Sequence, residues 1–312
     1  VEVTLPKKTL DALPSEAESM KGHSVVGLAR LRTFTGQLCW VSGVLPRIRW
    51  VVRVLSAVIT HHEREVRARK REERTRRTPE HLIHTKRMRL ALAWIAAFWR
   101  EGNRNVQRVY YTVEPPQDLA IVTDASPWGA GGVLVHVATG KPLEGFAAVL
   151  TADDEAELGV KIGSPDGQAL LELWAIFLAL RLWVRMFRSR LRKPVLRADS
   201  LAALGAAKKL SSPTPGLNHM GAEMSILLEV WDVDEPVGHH LPGKLNDLAD
   251  FLSRQAAPAR VPEPKGLTGT KVREVVRKGL GGRGYVLPTP AQEPSLWAWR
   301  SEEEDVVPVE SS

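Results

Sequence analysis

Four carboxylates in the second half of the chain interrupt segments that are otherwise apolar. Asp124 follows the strand-like run 119–123, and Glu172 lies within "ALLELWAIFLALRLW". Asp199 closes the apolar segment "PVLRA", and Asp250 lies in "LNDLADFLSR". Carboxylates among apolar neighbours lose hydration and repel one another, so each needs a partner or a cation. If the four converged, they would offer the hard oxygen ligands that Mg²⁺ and Mn²⁺ prefer.

The chemistry open to such a site is hydrolysis of a phosphodiester. Two ions about 4 Å apart would clamp the phosphate, one activating water and the other stabilising the leaving oxygen. Taken singly, each carboxylate is better explained by a helix cap or a salt bridge, for which Arg181 and Arg197 offer local partners. The prediction of a metal site therefore depends on the four carboxylates together.

The elements that must position these carboxylates form an α/β pattern. Three short apolar or alternating runs with glycine-containing links predict strands, after which helical and strand patterns alternate. The predicted strands are 119–123, 132–137, 144–150, 194–198 and 237–241, and the predicted helices are 169–186, 201–210, 217–231 and 247–255. Three strands in hairpin order followed by alternation indicate a mixed sheet with helices packed on it.

The remaining parts of the chain differ in composition. Residues 1–22 have no clear period and are predicted to be irregular, whereas residues 23–113 carry apolar residues at helical spacing. A Glu-Pro-Pro segment at 114–116 enforces extended backbone, which predicts a domain boundary near residue 113. Residues 256–312 are rich in Pro, Gly and charge, and we expect a mostly disordered tail.

The charge of the chain favours a polyanionic partner, most simply nucleic acid. The formal net charge is +7 and the pI is near 9.6. The tract 61–77, "HHEREVRARKREERTRR", contains eight Lys/Arg and four acidic residues. Because its charges are mixed, a solvated helix face supported by Glu–Arg pairs explains it, while a phosphate-contacting surface and a nuclear-import patch are the alternatives.

Cysteine usage and hydropathy predict an intracellular protein, or a piece of one. The single cysteine, Cys39, excludes an internal disulfide and fits a reducing compartment. No basic-then-apolar leader follows Val1. The longest apolar segment, 169–184, is interrupted by Glu172 and Arg181 and is too short to span a membrane. The choice between cytoplasm and nucleus stays open.

Four motifs resemble, in order and local context, the ribonuclease H domain of retroelement polyproteins. They are "TDASPWGAGGVL", "ALLELWAIFLAL", "VLRADSLAALGAAKKL" and "HHLPGKLNDLADFLSR", and they cover residues 118–255. The last motif is similar to the ending found in long-terminal-repeat and related retrotransposons. Residues 25–100, including "LRTFTGQLCWVSGVLPRIRWVV", resemble the thumb and connection region of such reverse transcriptases. The resemblance implies a ribonuclease H-like fold, with a five-stranded mixed sheet flanked by helices.

The resemblance also implies the catalytic residues. The family's acidic tetrad maps onto Asp124, Glu172, Asp199 and Asp250, which would hold two Mg²⁺ ions, with Mn²⁺ as a substitute. Asp247 competes with Asp250, and the family's "N-x-x-A-D" frame selects Asp250. His240 is a candidate for the histidine that assists product or proton release, although a structural role would explain it equally well. The implied reaction is cleavage of the RNA strand of an RNA–DNA hybrid, leaving a 3′-hydroxyl and a 5′-phosphate.

The same motifs offer candidate contacts to nucleic acid. These are Ser126, Trp128, Gly131, Gly132 and Asn246. Glycines allow close backbone approach, and a serine hydroxyl suits recognition of 2′-hydroxyls and minor-groove shape. Trp128 would stack on the hybrid or, alternatively, cover the edge of the sheet. Basic residues of the helical region would bind phosphates, so the affinity for nucleic acid would fall as the salt concentration rises.

The polymerase active site of a reverse transcriptase is not found. No Tyr-x-Asp-Asp or comparable paired-aspartate motif precedes residue 113. We therefore expect the carboxy-terminal part of such an enzyme or a remnant reading frame, with the rest of the polyprotein as a potential partner. Two alternatives stay open: a catalytically idle remnant that binds nucleic acid, and another enzyme of the same superfold, such as a transposase or junction resolvase.

Overall fold

The structure is a computed structural model that describes residues 2–72, 79–100, 107–109, 117–187, 193–259 and 261–274. These residues fall into two compact units, with residues up to 109 in the first and residues from 117 in the second. Part of the basic tract (73–77), the predicted hinge (114–116) and most of the predicted tail (275–312) lie outside the described residues.

The first unit is mainly helical. In chain order it contains β1 (Glu2–Thr4), α1 (Lys7–Lys21), β2 (Val25–Gly27), α2 (Leu28–Val41), α3 (Arg49–Glu72), β3 (Leu82–His84), α4 (Arg89–Arg100) and β4 (Gln107–Val109). Strands β1 and β4, and likewise β2 and β3, form antiparallel two-stranded sheets. Helix α1 packs on α4 and α2 on α3, while Trp50 of α3 and Trp94 of α4 meet edge to face with centroids 5.4 Å apart.

Helix α1 forms where the sequence predicts an irregular segment. Leu13, Ala17 and Met20 are spaced at i, i+4 and i+7, and all three are buried. The interior Pro14 and the surrounding polar residues conceal this spacing, because proline opposes a helix interior. Burial of the apolar stripe against α4 compensates for the weak helix propensity of the segment.

The second unit is a mixed α/β domain. Its strands are β5 (Leu119–Ser126), β6 (Gly129–His136), β7 (Pro142–Val149), β8 (Val195–Ala198), β9 (Val237–His240) and β10 (Lys271–Glu274). Its helices are α5 (Ala152–Leu158), α6 (Gln168–Trp183), α7 (Leu201–Lys209), α8 (Pro215–Val230) and α9 (Asp247–Ser253). The strand order is β10-β7-β6-β5-β8-β9. Strands β5, β6 and β7 pair antiparallel, whereas β8 runs parallel to β5, β9 to β8 and β10 to β7.

The sheet has six described strands, so the predicted number of five was wrong. Strand β10 belongs to the range expected to be a tail, and its sequence, "KVRE", has too little apolar character to predict a strand. It pairs with β7, with Lys271 opposite Glu144. The preceding Leu267 is buried in one cluster with Ala249 and Leu252 of α9, which anchors the segment.

Strand β5, which carries Asp124, lies in the interior of the sheet. All eight of its residues are buried, and it is flanked by β6 and β8. A strand that is covered on both faces usually consists almost entirely of apolar residues. Burial of the Asp124 carboxylate there costs free energy unless a partner or a cation compensates its charge. Helix α6 packs on β5 and β6 and is buried almost throughout, while α9 contacts β5, β6 and β7. In the part of the chain that the structure describes, no helix is both long and apolar enough to cross a membrane.

Candidate metal centre

Three of the four predicted carboxylates meet at one point. Asp124 lies on β5, Glu172 on α6, and Asp199 directly after β8. The parallel register of β5 and β8 pairs Val122 with Arg197, so two residues further along it brings Asp199 beside Asp124. One oxygen atom from each of the three carboxylates lies within 4.8 Å of the other two. Three separate elements thus supply a compact set of oxygen donors.

Burial and mutual repulsion raise the pKa of Asp124 and Glu172, the two inner carboxylates of the group. The pKa of Asp124 is raised to about 7, mainly by burial, while a hydrogen bond from Ser253 lowers it and the charges of Asp250 and Asp199 raise it. Burial raises the pKa of Glu172 to about 8, with the charge of Asp124 acting in the same direction. Like charges at this separation are compatible only when a proton or a cation compensates them.

Hydrogen bonds fix one oxygen atom of each inner carboxylate. The hydroxyl of Ser253 donates to Oδ2 of Asp124 at 2.7 Å. The amide of Gln168 donates to Oε1 of Glu172 at 3.0 Å and to the carbonyl oxygen of Ala125 at 2.6 Å. Oε2 of Glu172 is buried and accepts no hydrogen bond from any described residue. A buried carboxylate oxygen without a donor is costly, and a cation would remove that cost.

The donor set fits a divalent cation such as Mg²⁺ or Mn²⁺. It consists of carboxylate oxygens, which these ions prefer, and it carries excess negative charge in a largely buried setting. Asp124, Glu172 and Asp199 are the residues that would hold the ion. The unsatisfied Oε2 of Glu172 supports this assignment independently of the sequence motifs.

Asp250 lies near this group, and its charge raises the pKa of Asp124. Its Oδ1 atom accepts a hydrogen bond from Nε of Arg254 at 2.6 Å. The Asp250 carboxylate thus forms an ion pair with the residue that follows α9. Asp247, the competing residue of the motif, is exposed at the start of α9. The geometry favours Asp250 over Asp247, and its role as a metal ligand stays a prediction.

His240 lies at the same edge of the sheet as Asp199. It is exposed at the end of β9 and pairs with Ala198, the residue before Asp199. The loop that follows β9 passes the site, since a Cβ atom on Gly243 would lie 3.3 Å from Oδ2 of Asp199. This placement is compatible with a role in proton or product release, which stays a prediction.

Ser126 and Asn246, two of the predicted nucleic-acid contacts, are buried and bind other parts of the protein. The Ser126 hydroxyl is 1% exposed and donates to the carbonyl oxygen of Ser253 at 2.7 Å. The Asn246 amide donates to the carbonyl oxygen of Thr123 at 2.9 Å. Both contacts hold α9 and the loop before it on strand β5, which gives these residues a positioning role.

The two glycines predicted to approach nucleic acid are also covered by protein. A Cβ atom on Gly131 would overlap the backbone nitrogen of Ser253 and would lie 2.6 Å from the carbonyl oxygen of Ala249. A Cβ atom on Gly132 would lie 2.6 Å from Cε1 of Phe146. These glycines therefore permit close packing within the domain. Trp128 is half-buried, and a stacking role for it stays a prediction.

The sequence patterns did not assign a role to Gln168, Ser253 or Arg254. Ser253 and Arg254 follow Asp250 by three and four residues, so helical spacing places them on neighbouring positions of α9. Gln168 precedes Glu172 by four residues, which is one turn of α6. A search for polar residues one turn from each candidate ligand would have found all three.

Fold and site together define a mixed α/β domain with an acidic cluster that fits a divalent cation. The sequence matches no model of a known protein family and no curated protein. Among solved structures, the chain is similar to the crystal structure of RNase H1 from the halophilic archaeon Halobacterium salinarum, at 21% identity and a TM-score of 0.33. The match covers 44% of this chain and 96% of the archaeal chain.

Proposed function

We propose that the second unit is a metal-dependent ribonuclease H that cleaves the RNA strand of RNA–DNA hybrids. The observation that carries the proposal is the convergence of Asp124, Glu172 and Asp199, whose oxygen atoms lie within 4.8 Å of one another. These residues come from three of the four motifs that resemble the retroelement ribonuclease H domain. On the same resemblance, the chain is the carboxy-terminal part of a retroelement reverse transcriptase, and the first unit corresponds to its thumb and connection region.

The residues of this chain would have distinct tasks in the reaction. Asp124, Glu172 and Asp199 would hold the ions, and Asp250 is the fourth candidate ligand. When bound, the ions supply activation of water and stabilisation of the leaving oxygen. Gln168 and Ser253 keep the inner carboxylates oriented. His240, exposed at the same edge of the sheet, would move a proton as the product leaves.

Binding of the hybrid would depend mainly on charge and shape. The net charge of +7 favours a polyanion, and contacts to phosphates give an affinity that falls as salt rises. Discrimination between RNA and DNA would depend on ribose 2′-hydroxyls and groove shape rather than on base identity. Ser126, Gly131, Gly132 and Asn246 are buried, so the proposal assigns these contacts to exposed residues of the domain.

A catalytically idle remnant that binds nucleic acid is the second candidate. The observation in its favour is the ion pair between Asp250 and Arg254, which occupies one oxygen atom of the fourth carboxylate. Such a protein would bind the hybrid and leave it intact.

A substrate panel separates these functions. The full chain is incubated with Mg²⁺ or Mn²⁺ and end-labelled RNA–DNA hybrid, duplex RNA, duplex DNA, single-stranded RNA and a four-way junction. The proposal predicts cleavage of the RNA strand of the hybrid with 5′-phosphate products. Binding of the hybrid without cleavage in either ion would support the idle remnant, and cleavage of duplex DNA or the junction would support a transposase or resolvase.

A further inference from the structure

We propose that Ser253 is a positioning residue for the candidate metal centre, because its hydroxyl fixes the orientation of the Asp124 carboxylate. The inference rests on the proposed function, since it concerns the ion that the carboxylates would hold. Ser253 is the last residue of α9, whereas Asp124 lies on β5, 129 residues earlier in the chain. The hydrogen bond between them is therefore a tertiary contact and not a local turn.

The Ser253 hydroxyl has two acceptors nearby. Its Oγ atom lies 2.7 Å from Oδ2 of Asp124 and 2.9 Å from the carbonyl oxygen of Asp250. When Asp124 is ionised, the carboxylate is the charged acceptor and makes the stronger hydrogen bond. A donor on one oxygen restricts rotation of the carboxylate and so fixes the direction of its second oxygen. Groups that orient metal ligands in this way commonly change metal affinity or activity by about 10- to 100-fold when removed.

Ser253 is itself held firmly in place. Its side chain is 1% exposed, and its carbonyl oxygen accepts a hydrogen bond of 2.7 Å from the Ser126 hydroxyl. Its backbone nitrogen lies against Gly131, where any side chain would overlap it. A donor with so little freedom can orient a carboxylate, whereas a mobile surface serine could not.

The chain offers a matched control for the loss of this hydroxyl. Ser225→Ala removes a buried hydroxyl of α8 that donates to the carbonyl oxygen of Gly221 at 2.7 Å, and it leaves the donor to Asp124 intact. Ser253→Ala removes the donor to Asp124. Both variants lose one buried serine hydroxyl of the same domain, so a loss of buried hydrogen bonding alone would affect them similarly.

The test measures the affinity of the full chain for Mn²⁺ by electron paramagnetic resonance, beside hybrid cleavage and thermal unfolding in EDTA. We expect Ser253→Ala to bind Mn²⁺ about 10- to 100-fold more weakly. We expect kcat to fall with KM for the hybrid unchanged, while Ser225→Ala stays within about 3-fold of wild type in Mn²⁺ affinity. Should Ser253→Ala not fold, Ser253→Cys keeps a side chain of similar size with a weak donor, and the same loss of affinity is expected.

Two results would overturn the inference. One is wild-type affinity for Mn²⁺ in Ser253→Ala or, where that variant does not fold, in Ser253→Cys. The other is an equal loss of affinity in Ser225→Ala. A wild-type chain that binds no Mn²⁺ would instead contradict the proposed function itself, so the two failures are distinguishable.

Discussion

Oε1 of Glu172 lies 3.0 Å from Nε2 of Gln168, which precedes it by one turn of α6. The same amide nitrogen lies 2.6 Å from the carbonyl oxygen of Ala125, the residue after Asp124. One side chain thus ties helix α6 to strand β5 at the point where their carboxylates meet. It also leaves Oε2 of Glu172 as the oxygen atom without a donor among the described residues.

Replacement of Gln168 tests this link. Gln168→Met keeps the length of the side chain and removes both hydrogen bonds, so we expect Mn²⁺ affinity to fall about 10-fold. Isothermal titration with Mn²⁺ measures the change. Gln255→Met is the matched control, because Gln255 is exposed and its amide donates to the carbonyl oxygen of Phe251. Equal affinities for the two variants would show that Gln168 does not orient Glu172.

The raised pKa values of Asp124 and Glu172 predict how the ion-free protein responds to pH. In the unfolded chain these groups release protons near pH 3.8 and 4.5, whereas in the folded chain the pKa values are about 7 and about 8. Between these values the folded state binds more protons than the unfolded state, so the free energy of unfolding falls as pH rises. The loss continues as pH rises through the folded-state pKa values and levels off above about pH 9. One pKa unit corresponds to about 1.4 kcal/mol, so each group accounts for at most about 5 kcal/mol.

A divalent cation should reverse this loss, because it replaces the proton as the compensating charge. We expect Mn²⁺ or Mg²⁺ to raise the thermal unfolding temperature more at pH 8 than at pH 6, measured by differential scanning calorimetry. The unfolding temperature of the ion-free Asp124→Asn variant should change less between pH 6 and pH 8 than that of the wild type. An ion effect that is the same at both pH values would contradict the linkage between proton and metal.

Gly131 should tolerate no side chain, because α9 packs directly on it. A Cβ atom there would overlap backbone atoms of α9, and backbone cannot move aside as a flexible side chain can. We expect Gly131→Ala to destabilise the domain by about 3 kcal/mol or more, and to weaken Mn²⁺ binding by displacing Ser253. Gly205→Ala is the control, since Gly205 lies in α7 with open space around it and alanine favours a helix by about 0.5–1 kcal/mol. Urea unfolding compares the two variants, and similar midpoints would argue against close packing at Gly131.

The segment before β10 should stabilise α9 through the buried side chain of Leu267. Leu267 is buried with Ala249 and Leu252, so Leu267→Ala should cost about 2–4 kcal/mol and increase hydrogen exchange of the α9 amides. Val272 of β10 is 37% exposed, and Val272→Ala should cost less than about 1 kcal/mol. Unchanged exchange of α9 in Leu267→Ala would show that the helix does not depend on this segment.

The sequence predicted the convergent carboxylates because each stands in a short motif next to an apolar element. Asp124 lies near the end of the buried strand β5 and Asp199 directly follows β8, and parallel strands bring their ends to one edge of a sheet. The contact that orients Asp124 could not be predicted from local patterns, although the residue that makes it lies one turn from Asp250. The bond from Ser253 to Asp124 spans 129 positions, and strand β10 has a polar sequence whose pairing with β7 depends on the burial of Leu267.

The glycines are a second case in which local sequence patterns could not predict a long-range contact. A glycine in a strand indicates close approach of another group, and the sequence analysis assigned that group to nucleic acid at Gly131, whereas backbone of the protein itself lies there. The sequence could not say which backbone approaches, and in the structure it is that of α9. Likewise, three buried residues of α1 lie at helical spacing, but the interior Pro14 and exposed polar positions obscure the helix until its partner α4 is known.

The central claim is that Asp124, Glu172 and Asp199 hold the ions that cleave an RNA–DNA hybrid. The most direct measurement is the rate of Mg²⁺-dependent cleavage of end-labelled RNA in a hybrid by the full chain and by Asp124→Asn, Glu172→Gln and Asp199→Asn. Thermal unfolding in EDTA serves as the control for folding. We predict that each substitution lowers the rate at least 100-fold while the variants stay folded. Cleavage at the wild-type rate by any of the three variants would contradict the assignment of that residue, and no cleavage by the wild-type chain in Mg²⁺ or Mn²⁺ would contradict the claim as a whole.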